Sequence, residues 1–277
     1  MKVIINADDL GKSLAVNCAI EDCIKKGLIT SSTIMAGGEA FDDAVRIAKS
    51  YPQISFGVHL TIDDGDMSLT RTSIFVNEGI TDSDGKFIRY GIKEVKTYSR
   101  ELREAIYNEW TAQIQKVKNA GINISHVDSH HHNHTILPLR NTLVKVLKDN
   151  DIHCVRLNQA KTPSMYLHHI SIVHPVAKPK LAAKVQKTNI RRVSRMNIAV
   201  NILKYFMWAA KIRSNFKTTD YFCSFATFLK NREALCSFFK NGIIELMCHP
   251  GHPDYVGETD DLKMLPKDII KINYSNL

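Results

Sequence analysis

Residues 2–27 read KVIINADDLGKSLAVNCAIEDCIKKG. The opening KVIINA is a short, β-branched apolar run, which predicts a strand over 2–7. From 13 to 27 the apolar residues recur at intervals of three and four. That spacing predicts a helix, with Gly27 placed as its C-cap. Between strand and helix stand two adjacent carboxylates, Asp8 and Asp9.

The same unit recurs along the chain. SSTIMA (31–36) and SFGVHLTI (55–62) read as strands, and AFDDAVRIAKSY (40–51) between them as a helix. A long amphipathic helix is predicted over 99–121, a strand over 123–129, a helix over 137–150 and a strand over 153–157. Strands over 221–225 and 243–249 flank a helix over 232–242. Residues 63–92 are rich in Asp, Gly, Ser and Thr and read as a long loop or small excursion. Strand–helix alternation with short connections implies a parallel sheet covered by helices. At least six such strands favour a closed or nearly closed (β/α) barrel, TIM-barrel-like, over a doubly wound open sheet. The expected organisation is a single α/β domain over 1–277.

Composition sets outer bounds. The chain has 277 residues, 44% of them apolar, enough for one large core. No apolar run reaches the 18 residues that a membrane-spanning helix needs. The opening, MKVIINADDLG, has too short an apolar stretch for a signal peptide and is read as a mature N-terminus. Six cysteines are scattered with no CxxC pair, so free thiols and a cytoplasmic location are expected.

The net charge of +9 is unevenly distributed, for residues 178–217 carry eleven Lys or Arg and no Asp or Glu. This stretch is read as a basic helical excursion whose apolar side packs on the body. Contact with an anionic partner or a membrane surface is the alternative. Nucleic acid is disfavoured, because no nucleic-acid module accompanies the run.

The chemistry-bearing residues fall at the predicted strand ends. HVDSHHHNH (126–134) packs five histidines and one aspartate into nine residues. Strand alternation would send His130 and His132 to one side and His131 to the other, and spacing alone does not choose among them. Asp128 is suited to bond a ring nitrogen and fix its tautomer. Asp8 and Asp9 follow the first strand, His59 lies in the third, and Arg156 and His249 stand at two later ones. In a β/α barrel these ends converge on one face. Two imidazoles, a carboxylate, a spare carboxylate and a spare imidazole then supply a three-ligand metal site with a base and an acid beside it. A metal-dependent hydrolase is expected. Cys248 is disfavoured as a nucleophile, since it should face away from His249 and has no activating context.

Five motifs in order, INADDLGKS, GLITSSTIMAGG, GVHLTID, HVDSHHHNH and ELMCHPGH, resemble those of the YdjC-like (ChbG-like) carbohydrate deacetylases. The resemblance covers nearly the whole chain. Leu10 departs from it, where the family usually has Phe, and the 178–217 segment matches no family motif. The resemblance implies a barrel related in layout to the polysaccharide deacetylases, and hydrolysis of N-acetylated sugars such as chitooligosaccharides. By motif position it implies Asp9, His59 and His130 as metal ligands, Asp8 as base and His249 as acid. It implies a divalent metal, often Mg²⁺, whereas two nitrogens and one oxygen suit Zn²⁺ or another transition ion better. It is also compatible with a homodimer. Rival readings are a metal-dependent phosphoesterase and a non-catalytic binder of an anionic partner through 178–217.

Overall fold

The computed structural model describes residues 1–158, 195–266 and 269–277. Among these, seven strands form one parallel sheet: β1 (Lys2–Leu10), β2 (Ser31–Ile34), β3 (Ser55–Leu60), β4 (Val127–Ser129), β5 (Tyr221–Ser224), β6 (Ile243–Cys248) and β7 (Ile270–Lys271). Their order is β4-β3-β2-β1-β6-β5, with β7 pairing the start of β1 at Lys2 and Val3. β1 is central and buried from Val3 to Leu10, as its continuous apolar run requires. It extends past the predicted residue 7, so both aspartates lie within the strand. The register against β2 shifts between Ala7 and Leu10, and Asp9 has φ 69°. Alternation in a regular strand would send adjacent side chains to opposite faces, whereas at this bulge both carboxylates are buried beside one cavity.

The sheet curls toward closure. Predicted strand 153–157 is present only as bridges, Val127 to Val155 and Cys154 to Lys217, which carry the ring from β4 toward the chain entering β5. Arg156 then spans the interior, reaching carboxylates on β1, β4 and β6. The expected barrel layout is therefore observed, as a curled parallel sheet.

Helices α1 (Leu14–Lys25), α2 (Phe41–Ser50), α3 (Ser73–Asn77), α4 (Gly91–Glu94), α5 (Arg100–Asn119) and α6 (Arg140–Asp149) follow in chain order. The Ser13 hydroxyl caps α1 by accepting from Val16 N at 3.3 Å, and Gly27, at φ 63°, follows its end as the pattern predicts. Gly11, between β1 and α1, has φ 100°, a conformation that favours glycine. Of the basic excursion, 178–194 lies outside the described residues. The remainder forms α7 (Arg195–Arg213), which buries Trp208, Ala209 and Ile212 and leaves Leu203 and Met207 exposed. No helix of the described residues is long and apolar enough to cross a membrane.

The 63–92 segment is more ordered than a loop reading suggests. Buried Glu109 on α5 accepts from Ser68 Oγ, Leu69 N, Thr70 N and Thr70 Oγ1 at 2.7–3.0 Å, and from Gln113 Nε2 at 2.8 Å. These bonds pin the chain that leaves β3 against α5.

Candidate metal centre

The C-terminal ends of β1, β3 and β4 bring Asp9, His59 and His130 together. Asp9 Oδ1 lies 3.2 Å from His59 Nε2 and 2.9 Å from His130 Nδ1. Each far ring edge meets another carboxylate. His59 Nδ1 is 2.7 Å from Asp128 Oδ1, and His130 Nε2 is 3.1 Å from Asp64 Oδ2. With those far nitrogens donating, the near nitrogens are the ones a cation beside Asp9 would meet. Thr33 Oγ1 stands 3.2 Å from both His59 Nδ1 and Asp128 Oδ2, and Asn6 Nδ2 donates to Thr33 Oγ1 and Asp8 Oδ1.

Among the described residues, three sets of His and Asp have donor atoms close enough to share a cation: Asp9–His59–His130, Asp64–His130–His131 and Asp8–His59–Asp128. Electrostatics separates them. Asp8 and Asp128 already share the Arg156 guanidinium at 2.7 Å. Asp64 faces Lys12 at 3.2 Å and Arg89 at 3.5 Å. Among the described residues, Asp9 forms no ion pair apart from those with the two rings, and its buried Oδ2 has no hydrogen-bond partner. An orphaned buried carboxylate oxygen beside two imidazole nitrogens is the donor set a divalent transition ion takes. The Asp9 set therefore fits a metal best.

Burial by itself would raise the Asp9 carboxyl, yet the charge and hydrogen bonds of His130 and His59 hold it well below the usual carboxylate range. Burial likewise opposes charge on His59, but Asp128 and Asp9 lift it to about 10.

Asp8 has different partners. Arg156 Nη1 and Nη2 clamp its two oxygens, both at 2.7 Å. Burial raises its carboxyl, and Arg156 more than reverses this, leaving Asp8 ionised far below the ordinary range. Arg156 Nε donates to Glu245 Oε1 at 2.7 Å, and Tyr274 OH donates to Glu245 Oε2. Burial pushes Glu245 up to about 7, with Arg156 and Tyr274 opposing.

His249, beyond β6, stacks on Tyr255 with ring centroids 4.1 Å apart, and its Nδ1 is 3.7 Å from Glu258 Oε2. Cys248 is buried, with Sγ 3.4 Å from Asn6 O, and burial pushes its thiol far up, away from the nucleophilic thiolate.

The expected alternation within the histidine run is not observed. β4 ends at Ser129, and His131 and His132 take φ 49° and 56°, so the chain coils instead of staying extended. His130 enters the cluster, and His131 Nδ1 bonds Asp63 Oδ2 at 2.8 Å. His132 is half-buried, with its ring 5.3 Å from that of Phe222. His134 bonds Ser129 Oγ at 2.6 Å. Sequence reasoning missed Asp63 and Asp64. Their one local signal is an Asp–Asp pair, IDDGD, directly after the predicted third strand, as the pair in ADDLG follows the predicted first.

A cavity of about 340 Å³ opens over the cluster, and Asp8, Asp9, His59, His130 and His249 all line it. Arg89, Tyr90, Asp254 and Tyr255 also line it, and the two tyrosines are exposed. The Arg89 and Asp254 head groups stand 3.9 Å apart. Tyr90 leans over His131 at 5.1 Å between centroids.

A family model described as YdjC-like protein matches residues 2–272. Curated relatives named carbohydrate deacetylase are similar over part of the chain. One from Listeria monocytogenes serotype 4a (strain HCC23) is 41% identical over 132 residues, 47% of this chain and 51% of that protein. One from Halalkalibacterium halodurans is 35% identical over 155 residues, 55% of this chain and 62% of that protein. The chain thus spans about half the length of the curated relatives it matches. A crystal structure from Enterococcus faecalis V583, described as a candidate cellobiose-phosphate cleavage protein, superposes with TM-score 0.67 at 21% identity. It covers 99% of this chain and 98% of that one, a likeness of fold.

Proposed function

Because the chain belongs to the YdjC-like family, we propose that it is a metal-dependent carbohydrate N-deacetylase. It hydrolyses the acetamide of an N-acetylated sugar, of chitooligosaccharide type or related, to acetate and a free amino sugar. The observation that carries this reading is the convergence of Asp9, His59 and His130, with the second Asp9 oxygen unpartnered and Asp8 and His249 in the same cavity. The names of the curated relatives support the reaction class.

In this reading Asp9, His59 and His130 hold a divalent cation. When bound, it supplies Lewis acidity, polarising the acetyl carbonyl and easing deprotonation of water. The two-nitrogen, one-oxygen donor set favours Zn²⁺ or a similar ion over the Mg²⁺ that the family resemblance suggests. Asp8 receives the proton from the attacking water. Its clamp to Arg156 keeps it ionised and oriented, which favours readiness over basic strength. His249 donates a proton to the departing sugar nitrogen, with Tyr255 fixing the plane of its ring. Tyr90 and Tyr255 offer flat apolar faces to a sugar ring at the mouth. A cytoplasmic setting belongs to the same reading and is supported by the six free cysteines.

The test pairs elemental analysis of the purified protein with acetate release from N-acetylated chito-disaccharide. About one equivalent of transition metal and acetate release lost in Asp9→Ala and His130→Ala are expected. Full activity and metal content in either variant would refute the assignment.

A further inference from the structure

At the end of the barrel opposite the metal cluster, the segment 270–277 inserts beneath the sheet. Tyr274 is 1% exposed, and its ring stacks on His126 with centroids 3.5 Å apart and planes 8° apart. Neighbouring residues anchor it. Ser275 N donates to Ser55 Oγ at 3.3 Å, Asn273 Nδ2 to Gln53 O at 3.3 Å, and Lys217 Nζ to Leu277 O at 2.8 Å. From this fixed platform the Tyr274 hydroxyl reaches Glu245 Oε2 on β6, and Glu245 Oε1 takes Arg156 Nε.

The guanidinium is planar and presents two edges. One edge, Nη1 and Nη2, clamps Asp8, while Nη1 also meets Asp128 Oδ2 at 2.7 Å. The other edge, at Nε, has Glu245 as its partner. Held on both edges, the plane cannot tilt without breaking a buried charge-assisted bond. Asp128 in turn holds His59 Nδ1 at 2.7 Å. A continuous buried path therefore runs from Tyr274 through Glu245 and Arg156, dividing at the guanidinium toward Asp8 and toward His59.

We propose that Tyr274 and Glu245 are positioning residues of the deacetylase site, acting from the far end of the barrel to fix Arg156 and through it both Asp8 and His59. Its catalytic meaning rests on the function proposed above. Neither residue touches the substrate cavity. Their contribution is orientation, and small misplacements of a reacting group are costly in rate.

The experiment uses the full chain and two variants, Tyr274→Phe and Glu245→Gln, singly and together. Tyr274→Phe keeps the ring stack and removes only the hydroxyl. Its kcat for acetate release should fall roughly tenfold with KM within about twofold of the parent, because the loss is confined to the transition state. In the Glu245→Gln background the same change should add less than about twofold, since Tyr274 acts only through Glu245. Independently of activity, the ring N–H proton resonance of His59 and the Nε–H resonance of Arg156 should both shift in Tyr274→Phe. Wild-type kcat in Tyr274→Phe, losses that multiply in the double variant, or unmoved resonances would each overturn the proposal. If the parent protein releases no acetate, the deacetylase reading fails. The resonances of Tyr274→Phe, which needs no second variant to fold, then decide the positioning role alone.

Discussion

Asp64 Oδ2 lies 3.1 Å from Nε2 of His130, on the opposite edge of the ring from Asp9. Asp128 holds the same relation to His59. Both rings that face Asp9 are thus backed by a carboxylate, one delivered by a strand and one by the chain leaving β3. The two backings differ in shielding, since Asp128 is fully buried and Asp64 also meets Lys12.

Replacing either backing carboxylate by its amide should weaken metal binding without abolishing it. Loss of such a partner typically costs about 10- to 100-fold in affinity. Asp128→Asn should lie at the upper end and Asp64→Asn at the lower, because Asp128 also orders Arg156. Competition with a chromophoric chelator measures both, and equal, unchanged affinities would contradict the pairing.

Truncating the tyrosines at the mouth should affect substrate capture more than turnover. Tyr90→Ala and Tyr255→Ala should each raise KM for an acetylated disaccharide roughly three- to tenfold, the scale of one ring-stacking contact. Tyr255→Ala should lower kcat as well, because Tyr255 also stacks on His249. Steady-state kinetics of the two variants would reveal that asymmetry.

Stability should fall in mild acid. His134 is buried, and burial with the nearby Arg156 charge depresses it to about 3 in the folded protein. The unfolded chain protonates this ring near pH 6.5, so the unfolded state binds the extra proton. Its contribution is fully present above about pH 6.5 and is lost as pH falls toward 3. At pH 5 the loss from this one group is about 2 kcal/mol. Burial depresses His126 in the same sense. Urea unfolding at pH 7 and pH 5 should show the drop, and His134→Gln should lose less stability than the parent between those two conditions.

Glu109→Ala should destabilise the protein by roughly 2 kcal/mol, since it strands the buried Ser68 hydroxyl and removes the acceptor of the part-buried Leu69 and Thr70 amides. Glu109→Gln keeps acceptor capacity and should cost less. Chemical denaturation of the two variants tests this ordering. Weaker metal binding in Glu109→Ala would follow from freeing the segment that carries Asp63 and Asp64.

Some of this architecture is written in local pattern. The β1 run, the helical spacing after it and the position of Gly27 are fixed by nearest neighbours, and the helices fall within a few residues of where periodicity predicts them. That Asp8, Asp9, His59, His130 and His249 would meet at one cavity was also legible, because the predicted strand ends converge on one face. Asp64 was not, since 63–92 has no period, and its order comes from Glu109 some forty residues away in sequence. His131 and His132 departed from alternation because left-handed backbone follows Ser129.

The amino-acid order thus determined which residue types stand at the strand ends, because strand and helix periods are set by bonds between near neighbours. Only the curled sheet decided which of them meet. Arg156, Glu245 and Tyr274 lie in unrelated segments, and no local spacing connects them. Their union needs β4, β1 and β6 to face one another across a shared interior, where a buried charge is tolerated only with its partners in place.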